Sequence, residues 1–241
     1  MIILHGLLGS SRNWKRVAQE LAPDYCVYAL DQRNHGGSPH TESMNYDVLA
    51  EDVLRWSEKK GIVRPHLIGH SMGGKAAMHF ACTYPDALKS LTVVDIAPKS
   101  YDPHHRAEFE AMQALDLASI ENRRDAEAIL EHKIKDWALR QFILTNLVRD
   151  SSRNFTWQVN LPLLTTVLPE LSLNPLDSKA QFEGPTLFIQ GGKSDFMVDS
   201  DTSQILKHFP QAEIKFLHDA SHNPHMDARD AFLASLRNFI G

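Results

Sequence analysis

One short stretch of the chain combines the residue types of a covalent catalyst. Residues 69–73 read GHSMG, a G-x-S-x-G pattern. The apolar run 66–68 before it predicts a short strand, and the helix formers from Lys75 onward predict a helix after it. A strand and a helix joined by such a sharp turn form a nucleophile elbow, with glycines where the two elements must approach each other. The pattern therefore predicts that the hydroxyl of Ser71 is a nucleophile.

An oxyanion hole is predicted beside this serine. The apolar, strand-like run 1–4 leads into an HG turn, and such a loop can supply the backbone N–H of Leu7. The second donor would be the N–H of Met72, which directly follows the nucleophile. The residues of these two loops that we expect to contact substrate are His5, Gly6 and His70.

The general base must be chosen among thirteen histidines. Residues 212–218 predict a strand, residues 219–225 a loop, and residues 226–240 a helix with apolar residues at helical spacing. His222 lies in that loop, where a base can reach a serine at the end of a neighbouring strand. His222 and His225 could also be a metal pair, but no third ligand or H-E-x-x-H pattern accompanies them. We therefore expect neither a metal nor a cofactor.

Two aspartates could orient the imidazole. Asp195 follows the predicted strand 186–190 and a GGKS turn, and Asp95 ends the predicted strand 91–95 directly after the elbow helix. Either carboxylate would stabilise the charged histidine. The one that is not the acid would cap its own loop.

Strands alternate with helices along most of the chain, which predicts a mostly parallel sheet flanked by helices. The predicted strands are 2–4, 26–30, 66–69, 91–95, 186–190 and 213–217. The predicted helices outside the middle of the chain are 11–21, 45–60, 72–83, 199–208 and 227–240. We expect Lys75, one turn beyond the serine, to be solvated or ion-paired.

The alternation breaks between about residues 98 and 183, a stretch too long for a plain loop. Helices are predicted at 104–118, 123–149 and, for a short third one, 160–168. The expected organisation is an α/β core of residues 1–97 and 184–241 with residues 98–183 inserted as a helical cap. Such a cap would exclude water and shape a pocket.

The motifs occur in a fixed order across nearly the whole chain, and together they carry a family resemblance. They are HGLLGS at 5–10, DQRNHG at 31–36, GHSMGGK at 69–75, VDIAP at 94–98, GGKS at 191–194 and ASH at 220–222. The chain resembles the α/β-hydrolase superfamily, and within it the YbfF-type esterases and related abhydrolase-domain serine hydrolases. This resemblance implies hydrolysis of short- to medium-chain esters or thioesters, and it favours Asp95 as the acid. The fold of this family usually has two further strands before the one at residues 2–4, which are absent here. Either the sheet of this protein starts at its third strand or a longer native form exists, and we predict the longer form.

Composition limits the other classes of function. A net charge of −5 gives no basic surface for nucleic acid, and two cysteines make no disulfide framework. No apolar run approaches the roughly twenty residues of a membrane span, and no signal peptide is recognisable. The expected partner is a small-molecule ester or thioester. The expected location is the cytoplasm, or the mitochondrial matrix if a longer N-terminus carries a transit peptide.

Two alternative functions remain open at this point. The same scaffold supports C–C bond hydrolysis, lyase chemistry and perhydrolysis, which a triad alone does not distinguish. A non-catalytic small-molecule receptor is the other class, and an intact serine, histidine and acid argue against it.

Overall fold

The computed structural model describes residues 1–103 and 105–241, and its centre is a parallel six-stranded sheet. The strands are β1 (Ile2–Leu4), β2 (Tyr28–Leu30), β3 (His66–His70), β4 (Ser90–Val94), β7 (Thr186–Gly191) and β8 (Ala212–Leu217), while a separate hairpin contains β5 (Leu147–Arg149) and β6 (Phe155–Trp157). The order across the sheet is β2-β1-β3-β4-β7-β8, with every neighbouring pair parallel. The predicted fold class and all six predicted strands are confirmed to within two residues.

Helices cover both faces of the sheet. They are α1 (Lys15–Leu21), α2 (Tyr46–Lys59), α3 (Met72–Thr83), α4 (Arg106–Gln113), α5 (Arg123–Glu131), α6 (Trp137–Leu144), α7 (Leu161–Ser172), α8 (Thr202–His208), α9 (Pro224–Asp227) and α10 (Arg229–Ile240). Alternate residues of a strand point to opposite faces, so Ile2 and Leu4 join one apolar core while Ile3 joins the other. Within the described residues, no helix combines the length and apolar character needed to cross a bilayer.

The segment between β4 and β7 contains α4 to α7 and the hairpin. The prediction of one helix over 123–149 is wrong, because the chain breaks after α5 and starts again at α6. The side chain of Asp136 accepts a hydrogen bond from Leu139 N and so begins a new helix. The buried guanidinium of Arg140 binds the carbonyls of Ile134 and Lys135, which the break leaves free.

The other two predicted helices of this segment also have different limits. The helix predicted at 104–118 covers only α4, because Asp116 accepts a hydrogen bond from Ala118 N and starts a separate 3-10 turn; His104 lies outside the described residues. The helix predicted at 160–168 continues to Ser172 through Pro169. Residues 106–172 are called the inserted segment below.

Hydrogen bonds join the inserted segment to the sheet end that carries the motifs. Asn160 donates through its backbone N–H to Asn34 O, at 3.0 Å. The buried side chain of Asn146 donates to Leu8 O at 2.8 Å. Lys75 donates to carbonyls at the end of α7. The segment is therefore fixed directly against the loops that follow β1 and β2 and against α3.

Candidate active site

Ser71 occupies a strained turn between β3 and α3. Its φ is 51° and its ψ is −119°, a conformation that L residues rarely adopt outside functional turns. Close packing maintains this conformation. A Cβ on Gly69 would lie 2.2 Å from Gly73 O, and a Cβ on Gly73 would lie 2.5 Å from His5 O. Only glycine at these two positions lets strand and helix meet closely enough to present the hydroxyl.

His222 lies in the loop between β8 and α9 and contacts the serine. Its Nε2 is 3.1 Å from Ser71 Oγ, and its Nδ1 is 2.8 Å from Asp95 Oδ2. Because the carboxylate accepts the Nδ1 proton, Nε2 presents its lone pair to the serine hydroxyl. Phe196 stacks on the imidazole with ring centroids 3.9 Å apart. The ring can therefore accept the serine proton in a fixed orientation.

The structure places Asp95, and not Asp195, against the histidine. Asp95 follows β4 with a φ of 51° and has no exposed surface. Its Oδ1 accepts from Gly191 N at 2.7 Å, and its Oδ2 accepts a second hydrogen bond from the hydroxyl of Ser194. Asp195 is exposed in the loop after β7. A buried carboxylate with three donors can hold a charged imidazole opposite it.

The two predicted oxyanion donors are the backbone amides of Leu7, in the loop after β1, and of Met72, at the start of α3. Within the described residues, neither Leu7 N nor Met72 N takes part in a hydrogen bond. The next amide, Leu8 N, donates to His35 Nε2 at 3.2 Å. This hydrogen bond holds the loop after β1 in place. A Cβ on Gly6 would lie 3.2 Å from the Cβ of Ser71, which shows how closely the two loops pack. Both amides are therefore available to hydrogen-bond a group bound at Ser71.

His5 and His70 line the space beside Ser71, but their ring nitrogens also hold the loops. His5 Nε2 accepts from Gln32 N at 3.0 Å, which leaves the proton on Nδ1 for Gly6 O at 2.8 Å. His70 Nε2 contacts His222 O at 2.7 Å and fixes the loop of the base. Burial lowers the pKa of both imidazoles, so both are neutral near neutral pH.

Two cavities meet at Ser71. The first, called the α7 cavity, has a volume of about 60 Å³ and is lined mainly by apolar side chains, among them Met72, Ile96, Leu168, Leu171 and Phe196. The second, called the histidine cavity, has a volume of about 110 Å³ and includes His5, Trp14, His70, His222, Asn223 and His225. Leu7 and Ser71 line both cavities. A molecule bound at the serine can therefore extend in two chemically different directions.

The expectation of a solvated or ion-paired Lys75 is wrong: the side chain is buried, and among residues 1–103 and 105–241 it forms no ion pair. The residue is 3% exposed and lines the α7 cavity, with Nζ 2.9 Å from Ser172 O and 2.6 Å from Leu173 O. The ammonium also lies 4.8 Å from the ring centroid of Tyr101. Burial lowers the pKa of Lys75 to about 7. This side chain thus ties the end of α7 to the helix that starts at the nucleophile.

Several residues of the site were not predicted from the sequence. Ser194 and Phe196 flank Asp195 and contact Asp95 and His222 respectively. The GGKS turn before Asp195 was recognised in the sequence, and Ser194 is the last residue of that turn. A hydroxyl at this place was the signal that could have identified Ser194 as a partner of the acid. Trp14 stacks on His225 with centroids 4.0 Å apart, and nothing local in the sequence links two residues so far apart in the chain.

Comparison with known proteins identifies the fold. The family model described as the alpha/beta hydrolase fold matches residues 1–229. The chain is 36% identical to the sn-1-specific diacylglycerol lipase ABHD11 of Mus musculus over 248 residues, covering 100% of this chain and 80% of that protein. It is 31% identical to the esterase YbfF of Escherichia coli strain K12, covering 100% of this chain and 92% of the other.

A solved structure is similar over nearly the full length. A marine microorganism esterase superimposes with a TM-score of 0.96 at 34% identity, covering 99% of this chain and 94% of that chain. Family, relatives and structural neighbour agree with one another. The chain belongs to the α/β-hydrolase fold family and is an ester hydrolase.

Proposed function

We propose that the protein hydrolyses carboxylic esters of short to medium acyl chains, and thioesters of similar size, through an acyl-enzyme on Ser71. The observation that carries this proposal is the continuous chain of contacts from Ser71 Oγ through His222 to Asp95. The names of the relatives, an esterase and a diacylglycerol lipase, support the choice of ester chemistry over C–C cleavage or lyase reactions. The intact contacts do not favour the receptor alternative.

The mechanism follows from the positions of the groups. Ser71 Oγ attacks the acyl carbon while His222 Nε2 takes its proton, and the amides of Leu7 and Met72 bind the oxyanion. Asp95 stabilises the imidazolium that forms. Collapse of the intermediate breaks the bond to the leaving oxygen or sulfur, which receives the proton from His222. Water, deprotonated by the same imidazole, then releases the acid from Ser71.

The α7 cavity is the proposed acyl site. Its lining is largely apolar, and the oxyanion amide of Met72 belongs to it. Roughly 10–15 Å³ of such volume holds one water-sized group, so a cavity of about 60 Å³ has room for about four to six heavy atoms. Short chains should therefore bind best. Because α7 supplies Leu168 and Leu171, we also propose that residues 98–183 act as a cap over the core formed by residues 1–97 and 184–241.

Hydrolysis of p-nitrophenyl esters from acetate to decanoate tests this function. We expect kcat/KM to be highest near butyrate and hexanoate. Ser71→Ala should lower kcat by about 10⁴-fold or more, because it removes the nucleophile. Ser203→Ala is the matched control, since this exposed serine lies in α8, and it should retain full activity. A folded wild-type protein without esterase activity, or an active Ser71→Ala variant, would contradict the proposal.

A further inference from the structure

The loop that carries the amide of Leu7 contains a strained residue. Leu8 has a φ of 59°, in the left-handed region that a leucine rarely adopts. Gly9 N donates to Gly6 O at 2.9 Å, which closes a turn with Leu7 and Leu8 at its centre. Because φ is positive at Leu8 but not at Leu7, this is a type II turn, whose third position favours glycine. A leucine there costs free energy, so other contacts must hold the turn.

Buried side chains hold Leu8 on both sides. Leu8 N donates to His35 Nε2 at 3.2 Å, and Leu8 O accepts from the side chain of Asn146 at 2.8 Å. His35 has no exposed surface and Asn146 is 3% exposed, so water does not compete for these contacts. Both backbone polar groups of the strained residue are therefore held, one by the loop after β2 and the other by the inserted segment.

The ring of His35 is in the tautomer that this contact needs. Its Nδ1 lies 3.0 Å from Arg33 O, which can only accept, so the proton is on Nδ1 and the lone pair of Nε2 faces Leu8 N. Burial lowers the pKa of His35 to about 3, which keeps the ring neutral near neutral pH. Nε2 is therefore an acceptor for the amide next to that of Leu7 whenever the enzyme works near neutral pH.

Other residues of the loop after β2 bind the same region. Gln32 N donates to His5 Nε2 at 3.0 Å, and the side chain of Gln32 donates to His5 O at 2.7 Å. Asp31 Oδ1 accepts from Ser11 N at 2.6 Å. These residues and His35 belong to the DQRNHG motif at 31–36, which has no part in the proposed chemical steps. Its contacts before, within and after the turn indicate that the motif supports the loop after β1.

We propose that His35 is a positioning residue for catalysis, which holds the strained turn at Leu8 and so keeps the amide of Leu7 aimed at the oxyanion. This inference rests on the proposed function, because it requires Leu7 as an oxyanion donor. Without the acceptor on His35, the peptide group between Leu7 and Leu8 can rotate to a type I turn, which most residues adopt without strain. The amide of Leu7 is joined to that peptide group through one Cα and is displaced with it. A displacement of about 1 Å near a reacting centre can cost about a hundredfold in rate.

Two variants of His35 separate this role from a merely structural one. His35→Gln keeps an acceptor near the position of Nε2, whereas His35→Asn keeps a donor near the position of Nδ1 and loses the acceptor. We expect His35→Asn to lower kcat on p-nitrophenyl butyrate by about tenfold or more while KM stays within about twofold, because the oxyanion forms only after binding. His35→Gln should stay within about threefold of wild-type kcat. His218→Asn changes an exposed histidine and should match wild type.

A transition-state analogue gives a second readout. When propyl trifluoromethyl ketone reacts, Ser71 Oγ bonds to the carbonyl carbon, its proton passes to His222 Nε2, and an electron pair of the carbonyl bond moves to the oxygen. The adduct therefore carries the oxyanion that the amide of Leu7 should bind. In His35→Asn the inhibition constant should rise by about the factor by which kcat/KM falls. An unchanged inhibition constant would contradict the positioning role.

Removal of the strain should remove the need for His35. Leu8→Gly places glycine where the turn favours it, and loss of a buried side chain should lower the melting temperature without changing the turn. Below that temperature, His35→Asn should lower kcat of the Leu8→Gly protein by no more than about twofold. Equal losses in both backgrounds, or equal losses in His35→Asn and His35→Gln, would overturn the inference and leave the proposed function standing. Absence of hydrolysis by wild type, or hydrolysis that survives Ser71→Ala, would refute the proposed function and this inference together.

Discussion

The sheet end that carries Ser71 and the inserted segment meet at the same cavities but are held in place by different forces. Around Ser71, backbone atoms pack so closely that a single Cβ on Gly69 would come within 2.2 Å of a carbonyl oxygen. The inserted segment is joined to the same region largely by side-chain hydrogen bonds, from Asn146 on the segment to Leu8 O and from Lys75 on α3 to Ser172 O. The difference teaches that the position of Ser71 is fixed by backbone packing, whereas the walls of the cavities are attached largely by side chains that can be replaced.

The largest expected effect concerns Asp95, which lies at the sheet end that carries Ser71. Asp95→Asn should lower kcat on p-nitrophenyl butyrate by about a thousandfold or more, because an amide in place of the carboxylate no longer stabilises the imidazolium. Asp195→Asn is the matched control. Because the carboxylate of Asp195 is exposed, kcat of this variant should stay within about twofold of wild type. Equal losses in the two variants would remove the distinction that the structure draws between them.

Close packing at the elbow predicts the second effect. In Gly73→Ala the new methyl group would lie 2.5 Å from His5 O, so the elbow must shift and kcat should fall by about a hundredfold. In Gly37→Ala the nearest atom to the new methyl is Asp31 Oδ2 at 3.6 Å, which is ordinary contact, and activity should persist. Steady-state kinetics with melting temperatures measures both variants. A fully active Gly73→Ala variant would show that close backbone packing does not fix the position of Ser71.

A smaller effect is expected where the inserted segment is attached. Asn146→Ala removes the hydrogen bond to Leu8 O and leaves that carbonyl without its side-chain donor. The free energy of unfolding in urea should fall by about 1–3 kcal/mol, while kcat falls less than tenfold. Asn154→Ala changes an exposed asparagine of the hairpin loop and should stay within about 0.5 kcal/mol of wild type. If Asn146→Ala lost activity as heavily as Asp95→Asn, the two regions would not differ in the way described.

The last effect is a pH dependence of stability, with no expected change in the chemical step, and it concerns Lys75. Burial lowers its pKa to about 7, whereas an unfolded lysine titrates near 10.4. Between these values the unfolded chain binds more protons, so the free energy of unfolding should rise with pH, by at most about 1.4 kcal/mol per pH unit. Lys75→Met lacks this contribution. Urea unfolding from pH 7 to 10 should show the difference between the two proteins growing with pH, and parallel curves would rule out a depressed pKa.

The difference between local packing and long-range side-chain contacts also explains how much of the structure the sequence predicted. The six strands and the strand–turn–helix at Ser71 depend on short-range patterns, which is why the sequence alone predicted them. The roles of Leu7, Met72 and His222 rest on equally local patterns and stay predictions. The choice between Asp95 and Asp195 depends on which strand end faces His222, and the φ of 51° at Asp95 that turns its carboxylate there has no signature in the sequence. The resemblance to known esterases favoured Asp95, but the residues alone did not decide.

Long-range contacts account for what was missed. The acceptors of Lys75 lie 97 and 98 residues away in the chain, so helical spacing alone suggested a solvated side chain. The break between α5 and α6 depends on Asp136 as a cap and on Arg140 as a partner for free carbonyls, while apolar spacing continued across it. In both cases the partner that stabilises the structure is invisible to a periodic pattern.

The measurement that tests the central claim most directly is capture of the acyl-enzyme. Wild-type protein mixed with excess p-nitrophenyl butyrate, quenched in acid within milliseconds and digested, should carry a butyryl group on the peptide that contains Ser71. His222→Ala should accumulate the adduct far more slowly, and Ser71→Ala should carry none. Continued hydrolysis with no adduct on Ser71, or with the butyryl group on another residue, would show that the serine held at the elbow is not the nucleophile.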